Sequence, residues 1–121
     1  MHKKILIVDD DSGVCNSLAM LLRGEGYGVD ATTDSGEAVV LIEKDRYDVC
    51  LFDYKIKGLN GKDLLKITKN AHPQCLVFVV SAMFNLEELF KKEIKSGLVT
   101  GVISKPFDVE ELLQKIAALA K

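Results

Sequence analysis

Five times along this chain a short apolar run is followed by a segment of helical periodicity, and no other feature constrains the fold as much. The runs are residues 5–8 (Ile-Leu-Ile-Val), the weaker 29–32, 49–52 (Val-Cys-Leu-Phe), 76–80 (Leu-Val-Phe-Val-Val), and Val102-Ile103 with its neighbours. Those near residues 5, 50 and 78 are continuous rather than alternating. Strands buried on both faces read this way, and such strands belong to parallel sheets. The intervening segments have readable helix starts. Val14, Leu18, Leu21 and Leu22 share a face behind Asp11 or Ser12 as cap, with Gly24, Gly26 and Gly28 punctuating the exit. Asp34 precedes Glu37, Asn60 precedes Asp63, Asn85 precedes Glu88 and Asp108 precedes Glu111, each pair placing a capping side chain three residues before an acid. Val109, Leu112, Leu113, Ile116, Ala117 and Ala120 make the last apolar stripe. The reading is α/β: a doubly wound (βα)5 three-layer sandwich on a parallel five-stranded sheet, with right-handed crossovers.

Length and composition limit what such a fold can be used for. The chain has 121 residues, 48% of them hydrophobic, which suits one domain over residues 1–121 with a core that needs neither disulfide nor structural metal. Net charge is −2, so no global basic field favours nucleic acid. No apolar run approaches a membrane span, and the start, Met1-His2-Lys3-Lys4, leads into too short an apolar stretch for a signal peptide. Cys15, Cys50 and Cys75 are an odd number at unrelated spacings with no CxxC. They are expected to be reduced core thiols of a cytoplasmic protein. His2 and His72 have no partner at zinc-ligand spacing.

The chemistry-bearing residues collect at the C-terminal ends of the runs. Asp9, Asp10 and Asp11 follow the first, Asp53 the third, Ser81 the fourth, and Lys105, before Pro106, the fifth. Open α/β sheets bind ligands at that edge. Singly, each residue has an ordinary explanation: Asp11 as a helix cap, Asp53 as a turn residue, Ser81 as a turn or cap, Lys105 as a strand exit. Together they form a phosphate- and metal-handling set. Several carboxylates in one crevice raise one another's pKa. A hard cation such as Mg2+, which takes one or two carboxylates plus a phosphoryl oxygen, resolves that conflict. One carboxylate can then attack phosphorus while a lysine and a hydroxyl hold the remaining oxygens.

The strings Ile5-Leu-Ile-Val-Asp-Asp10, Leu51-Phe-Asp53 with Gly58 and Asn60-Gly61, Val79-Val-Ser-Ala82 and Ser104-Lys-Pro-Phe107 occur in order across the whole chain. In this it resembles the receiver domain of two-component response regulators, phosphoproteins of phosphorelay signal transduction. The resemblance implies the flavodoxin-like strand order 2-1-3-4-5. It implies that Asp53 accepts the phosphoryl group as an aspartyl phosphate. Asp10 would be the direct Mg2+ ligand, supported by Asp9 through water, with Asp53 and the backbone carbonyl of Lys55 as further ligands. Ser81 would be the switch hydroxyl and Lys105 the phosphoryl-pairing lysine, with the Lys105–Pro106 bond cis. The small Ala82 leaves the site accessible. The implied partners are a sensor histidine kinase or phosphotransfer protein and a downstream effector or output domain. Neither nucleic acid nor a membrane would be bound by this domain; a homodimer through the last two helices is compatible with the reading, but no residue in the sequence argues for it. The domain would catalyse only its own phosphorylation and dephosphorylation.

Two departures from the family pattern bear on signalling. Ile56-Lys57 stands where the family usually has Met-Pro, and Val102 occupies the aromatic switch position three residues before Lys105. A valine has no ring to bury, so the expected output is movement of the loop from Ser81 to Asn85 and of the fourth helix. Lys55 and Met83 stand two residues past Asp53 and Ser81, positions that the resemblance implies would tune water attack on the acyl phosphate. Lys62, Lys66 and Lys69 on the third helix and Lys91, Lys92 and Lys95 on the fourth read first as solvated faces. The second cluster is the better candidate for docking an acidic partner. The rival reading is a haloacid-dehalogenase-like phosphatase with Asp9 as nucleophile in Asp9-x-Asp11. It lacks that family's closing acidic pair and has no use for Asp53. A third reading, a degenerate receiver that docks partners without phosphorylation, is opposed by the intact acidic site, and a flavin-binding protein of similar topology is weaker still, since no Gly/Ser/Thr-rich phosphate loop follows the first run.

Overall fold

The computed structural model describes residues 3–55 and 58–119, with every strand followed by helix. The elements are β1 (Lys4–Val8), α1 (Ser12–Gly24), β2 (Gly28–Thr32), α2 (Ser35–Lys44), β3 (Val49–Asp53), α3 (Gly61–Ala71), β4 (Leu76–Ser81), α4 (Leu86–Leu89), α5 (Lys91–Ser96), β5 (Gly101–Ser104) and α6 (Val109–Leu119). The sheet has five strands in the order β2-β1-β3-β4-β5, all pairs parallel, as the resemblance implies. Every side chain of β3 is buried, which is why its letters do not alternate.

Each sheet face carries its own core. Leu6, Val8, Cys50, Phe52, Val77 and Val79 face α2, α3 and α4 through Ala38, Ile42, Leu64, Leu65 and Leu86. Ile5, Ile7, Leu51, Phe78, Val80 and Ile103 face α1 and α6 through Cys15, Leu18, Ala19, Leu22, Leu112 and Ile116. Burying one such Leu, Ile or Phe side chain contributes about 1.5–3 kcal/mol. The doubly wound sandwich is therefore held from both sides, and its parallel strands all bring their C-terminal ends to one edge.

The helix starts follow the expected caps at three places. Asp11, not Ser12, caps α1, accepting from the N–H groups of Gly13 and Val14. Asp34 accepts from Glu37 N–H at α2, and Asn60 with Asp63 forms a reciprocal capping box at α3. The fourth helix departs from expectation. It is broken at Phe90 into α4 and α5, and Asn85 makes no capping hydrogen bond. Phe90 is fully buried with its backbone turned out of helical geometry, and its ring meets Tyr54 edge-on at 5.5 Å. Anchoring that ring outweighs continuing the helix. Asp108 accepts from Glu110 N–H rather than from Glu111. Leu21 is 42% exposed and Ala117 is exposed, so the apolar stripes of α1 and α6 are narrower than their letters suggest. Ala120 and the Ile56-Lys57 departure lie outside the described residues.

Candidate functional site

The edge where the strands end is where the sequence placed its polar residues. Asp9 leaves β1 with its N–H bound to Thr32 O of β2, which holds its side chain at the crevice between the two crossover directions. Beneath it the Cys15 thiol donates to Asp9 O at 3.3 Å. The core reading of Cys15 did not anticipate this support. Asp53 ends β3, and Tyr54 N–H continues the ladder to Val80 O, so Asp53 points out of the sheet while its neighbour is still anchored in it. Ser81 ends β4. Lys105 N–H pairs with Ser81 O at 2.9 Å, bringing the fifth strand's exit beside the fourth.

Asp9 is 4% exposed, Asp53 7% and Ser81 2%, unusual burial for two carboxylates. The Lys105 ammonium lies 2.7 Å from Asp9 Oδ2 and 3.1 Å from Asp53 Oδ2. The remaining oxygens are met by backbone: Asp11 N–H donates to Asp9 Oδ1 at 3.0 Å and Lys55 N–H to Asp53 Oδ1 at 3.2 Å. Met83 N–H donates to Ser81 Oγ at 3.1 Å. Asp10 is exposed at the rim, yet oxygens from Asp9, Asp10 and Asp53 all lie within 4.8 Å of one another. Asp53, Asp10, Lys55, Ser81, Ala82, Met83 and Lys105 line a cavity of about 290 Å³.

Burial pushes the Asp53 carboxyl above its ordinary value and the Asp9 charge adds to the rise, against the pull of Lys105. Burial works to lower the Lys105 ammonium, but hydrogen bonds and charge from Asp9 and Asp53 outweigh it, and the result is a raised value. One cation between two carboxylates leaves the crevice short of positive charge, which is the condition that favours a divalent cation.

Each sequence-derived site residue (Asp9, Asp10, Asp53, Lys55, Ser81, Lys105) borders this one crevice, and the Lys105–Pro106 bond is cis. Asp11 stands apart as a helix cap. Lys62 and Lys69 are not a free basic stripe. Lys62 pairs with Glu93 at 3.7 Å and lies over the Phe90 ring, and Lys69 donates to the carbonyls of Pro73 and Cys75. Sequence reasoning missed a neighbouring groove of about 670 Å³, whose walls include Val14, Leu18, Leu21, Ala82, Lys105 and Phe107. Leu21 and Phe107 are among its apolar walls that the core does not fully bury.

Known proteins share this architecture. The chain is 32% identical to Sporulation initiation phosphotransferase F of Bacillus subtilis (strain 168) over 93% of its length and 89% of that protein. It is 30% identical to Regulatory protein VanRB of Enterococcus faecalis (strain ATCC 700802 / V583), of which it spans only 54%. The structure of a CheY-like response regulator receiver domain protein from Methanospirillum hungatei JF-1 matches with a TM-score of 0.89 at 31% identity, covering 99% of this chain and 94% of that one. The family model for the response regulator receiver domain matches residues 5–117. With acidic, hydroxyl and lysine groups gathered at the sheet edge as phosphorelay signalling requires, the chain belongs to the response regulator receiver domain family of two-component systems.

Proposed function

We propose that the whole of residues 1–121 acts as one receiver that accepts a phosphoryl group on Asp53 from a phosphohistidine. The observation that carries this is the placement of a buried Asp53 at 3.1 Å from Lys105, in a cavity also walled by Ser81 and Asp10. An Asp53 carboxylate oxygen attacks phosphorus in line, the P–N bond to the donor histidine breaks, and the ring nitrogen leaves with that electron pair. Lys105 then pairs with the phosphoryl oxygens, the Ser81 hydroxyl donates to one of them, and Ala82 leaves the approach open. The carboxylates of Asp9, Asp10 and Asp53 fit Mg2+, with the Lys55 carbonyl as a further ligand. When bound, the ion supplies charge neutralisation for the transferring group. The domain turns over no separate metabolite.

The groove beside α1 supports a helical donor, either a sensor histidine kinase or a phosphotransfer protein. It shares Ala82 and Lys105 with the phosphoryl cavity, so a helix seated there brings a histidine to its mouth. Output to an effector or output domain passes through residues 82–85 and α4. Phe84 is fully exposed, α4 is a single turn, and Asn85 makes no capping bond, which together make this the weakly held part of the rim. The working compartment is the cytoplasm. Among the described residues no helix is long and apolar enough to cross a membrane.

The test is labelling with a small phosphodonor, such as acetyl phosphate with Mg2+, read by phosphate-affinity electrophoresis. Asp53→Asn loses the shifted band and Asp11→Asn retains it. Labelling that survives in Asp53→Asn but not in Asp9→Asn would instead select the dehalogenase-like phosphatase chemistry. A beryllofluoride-bound protein with unchanged amide exchange in residues 82–96 would refute the output route.

A further inference from the structure

Away from the phosphoryl site, at the opposite end of the sheet, two buried thiols meet. Cys50 lies on β3 and pairs in register with Val77 of β4. Cys75 precedes that strand two residues upstream of Val77, so both side chains enter the same face of the sheet. Their Sγ atoms are 3.4 Å apart, and all three cysteines of the chain are free. The two sulfurs are not equivalent. Cys50 is wholly buried among apolar side chains, whereas Cys75 lies at the wall of a cavity of about 340 Å³ formed with Arg46, Tyr47, Asp48, His72, Pro73 and Gln74. The Lys69 ammonium is bound to the Cys75 carbonyl.

We propose that Cys75 and Cys50 form a peroxide-responsive dithiol, with Cys75 the attacking and Cys50 the resolving thiol. The Cys75 thiolate attacks one peroxide oxygen. An S–O bond forms, the O–O bond breaks, and hydroxide leaves to take up the thiol proton as water. The Cys50 sulfur then attacks the Cys75 sulfenic acid, forming S–S, breaking S–O and releasing a second water. Two thiols and one hydrogen peroxide give one disulfide and two waters. The surroundings favour this order. Once Cys75 ionises, the Cys50 S–H can donate to its thiolate, and that bond together with the Lys69 charge holds the Cys75 thiol below its ordinary value against burial. Burial keeps the Cys50 thiol high and protonated until the sulfenic acid forms. The cross-link would close a ring around Asp53 and α3, joining β3 to the entry of β4.

The experiment treats the native 121-residue chain with hydrogen peroxide, blocks the remaining thiols in denaturant, and maps peptides without reduction. Oxidation of Met20, which is 75% exposed, reports that the oxidant dose was sufficient. The expected result is loss of two of the three thiols, a Cys50–Cys75-linked peptide, a mass decrease of two hydrogens on those peptides, and restoration by dithiothreitol. In Cys50→Ser, dimedone should trap Cys75 as a sulfenic acid. Three results on the unsubstituted chain would each overturn the proposal: Met20 oxidised while Cys50 and Cys75 stay reduced, modification confined to Cys15, or Cys75 oxidised without the intramolecular link.

Discussion

Replacing Lys105 by methionine tests whether the crevice is electrostatically one unit. Lys105 is the only cation within salt-bridge distance of Asp9 or Asp53 among the described residues, at 2.7 and 3.1 Å. At an effective dielectric of about 20, two such contacts attract by roughly 5–6 kcal/mol each before desolvation is subtracted. The pair is not a surface salt bridge: the side chains are 22% exposed for Lys105, 5% for Asp9 and 9% for Asp53. Methionine keeps the packing of the stem and leaves two facing carboxylates unpaired. Breaking a buried pair in this way costs about 3–5 kcal/mol. Urea unfolding in EDTA should therefore show Lys105→Met less stable by about 3 kcal/mol. With Mg2+ bound as proposed, the gap should narrow at saturation, because the ion would neutralise the same carboxylates and stabilise the folded state by mass action. The double variant with Asp53→Asn should recover part of the loss in EDTA. A loss under about 1 kcal/mol, the size of an exposed pair, would refute the reasoning. So would a loss of equal size with and without Mg2+.

Other consequences follow from single residues. The Asp53 carboxyl is raised by burial and by Asp9, so the folded state holds its proton to higher pH than the unfolded chain does. Its contribution to stability is present below about pH 4 and is lost as pH rises through the raised folded value. Asp53→Asn should accordingly gain stability relative to the parent as pH rises above about 4 in metal-free urea titrations, and a difference that does not change with pH would contradict this. Met83 is half-buried at the cavity wall. Met83→Ala should admit water and speed loss of the aspartyl phosphate several-fold, and an unchanged dephosphorylation rate would count against it. Gly58 has φ +100°, and a Cβ there would sit 2.5 Å from Ser35 Oγ. Gly58→Ala should cost about 1–3 kcal/mol in thermal or urea unfolding.

What could be read from the letters was whatever the local chain decides. Continuous apolar runs mark doubly buried strands because a parallel sheet covered on both faces leaves no polar side, as the wholly buried β3 shows. Caps at Asp11, Asp34 and Asn60 are contacts across two or three residues. The site was legible for a related reason: in a parallel sheet every strand end arrives at one edge, so Asp9, Asp53, Ser81 and Lys105 need only follow their runs to meet. Tertiary structure decided what depends on partners far along the chain. The fourth helix broke because the Phe90 ring is held against Tyr54, a contact no periodicity reveals. Lys62 and Lys69 left their solvated stripe for Glu93 and for the carbonyls before β4. Cys50 and Cys75, unrelated in spacing, became neighbours because β3 and β4 pair in register. Local letters set which groups a strand or helix carries. Which distant group each then touches is fixed only when the sheet closes its order and each face packs its own core.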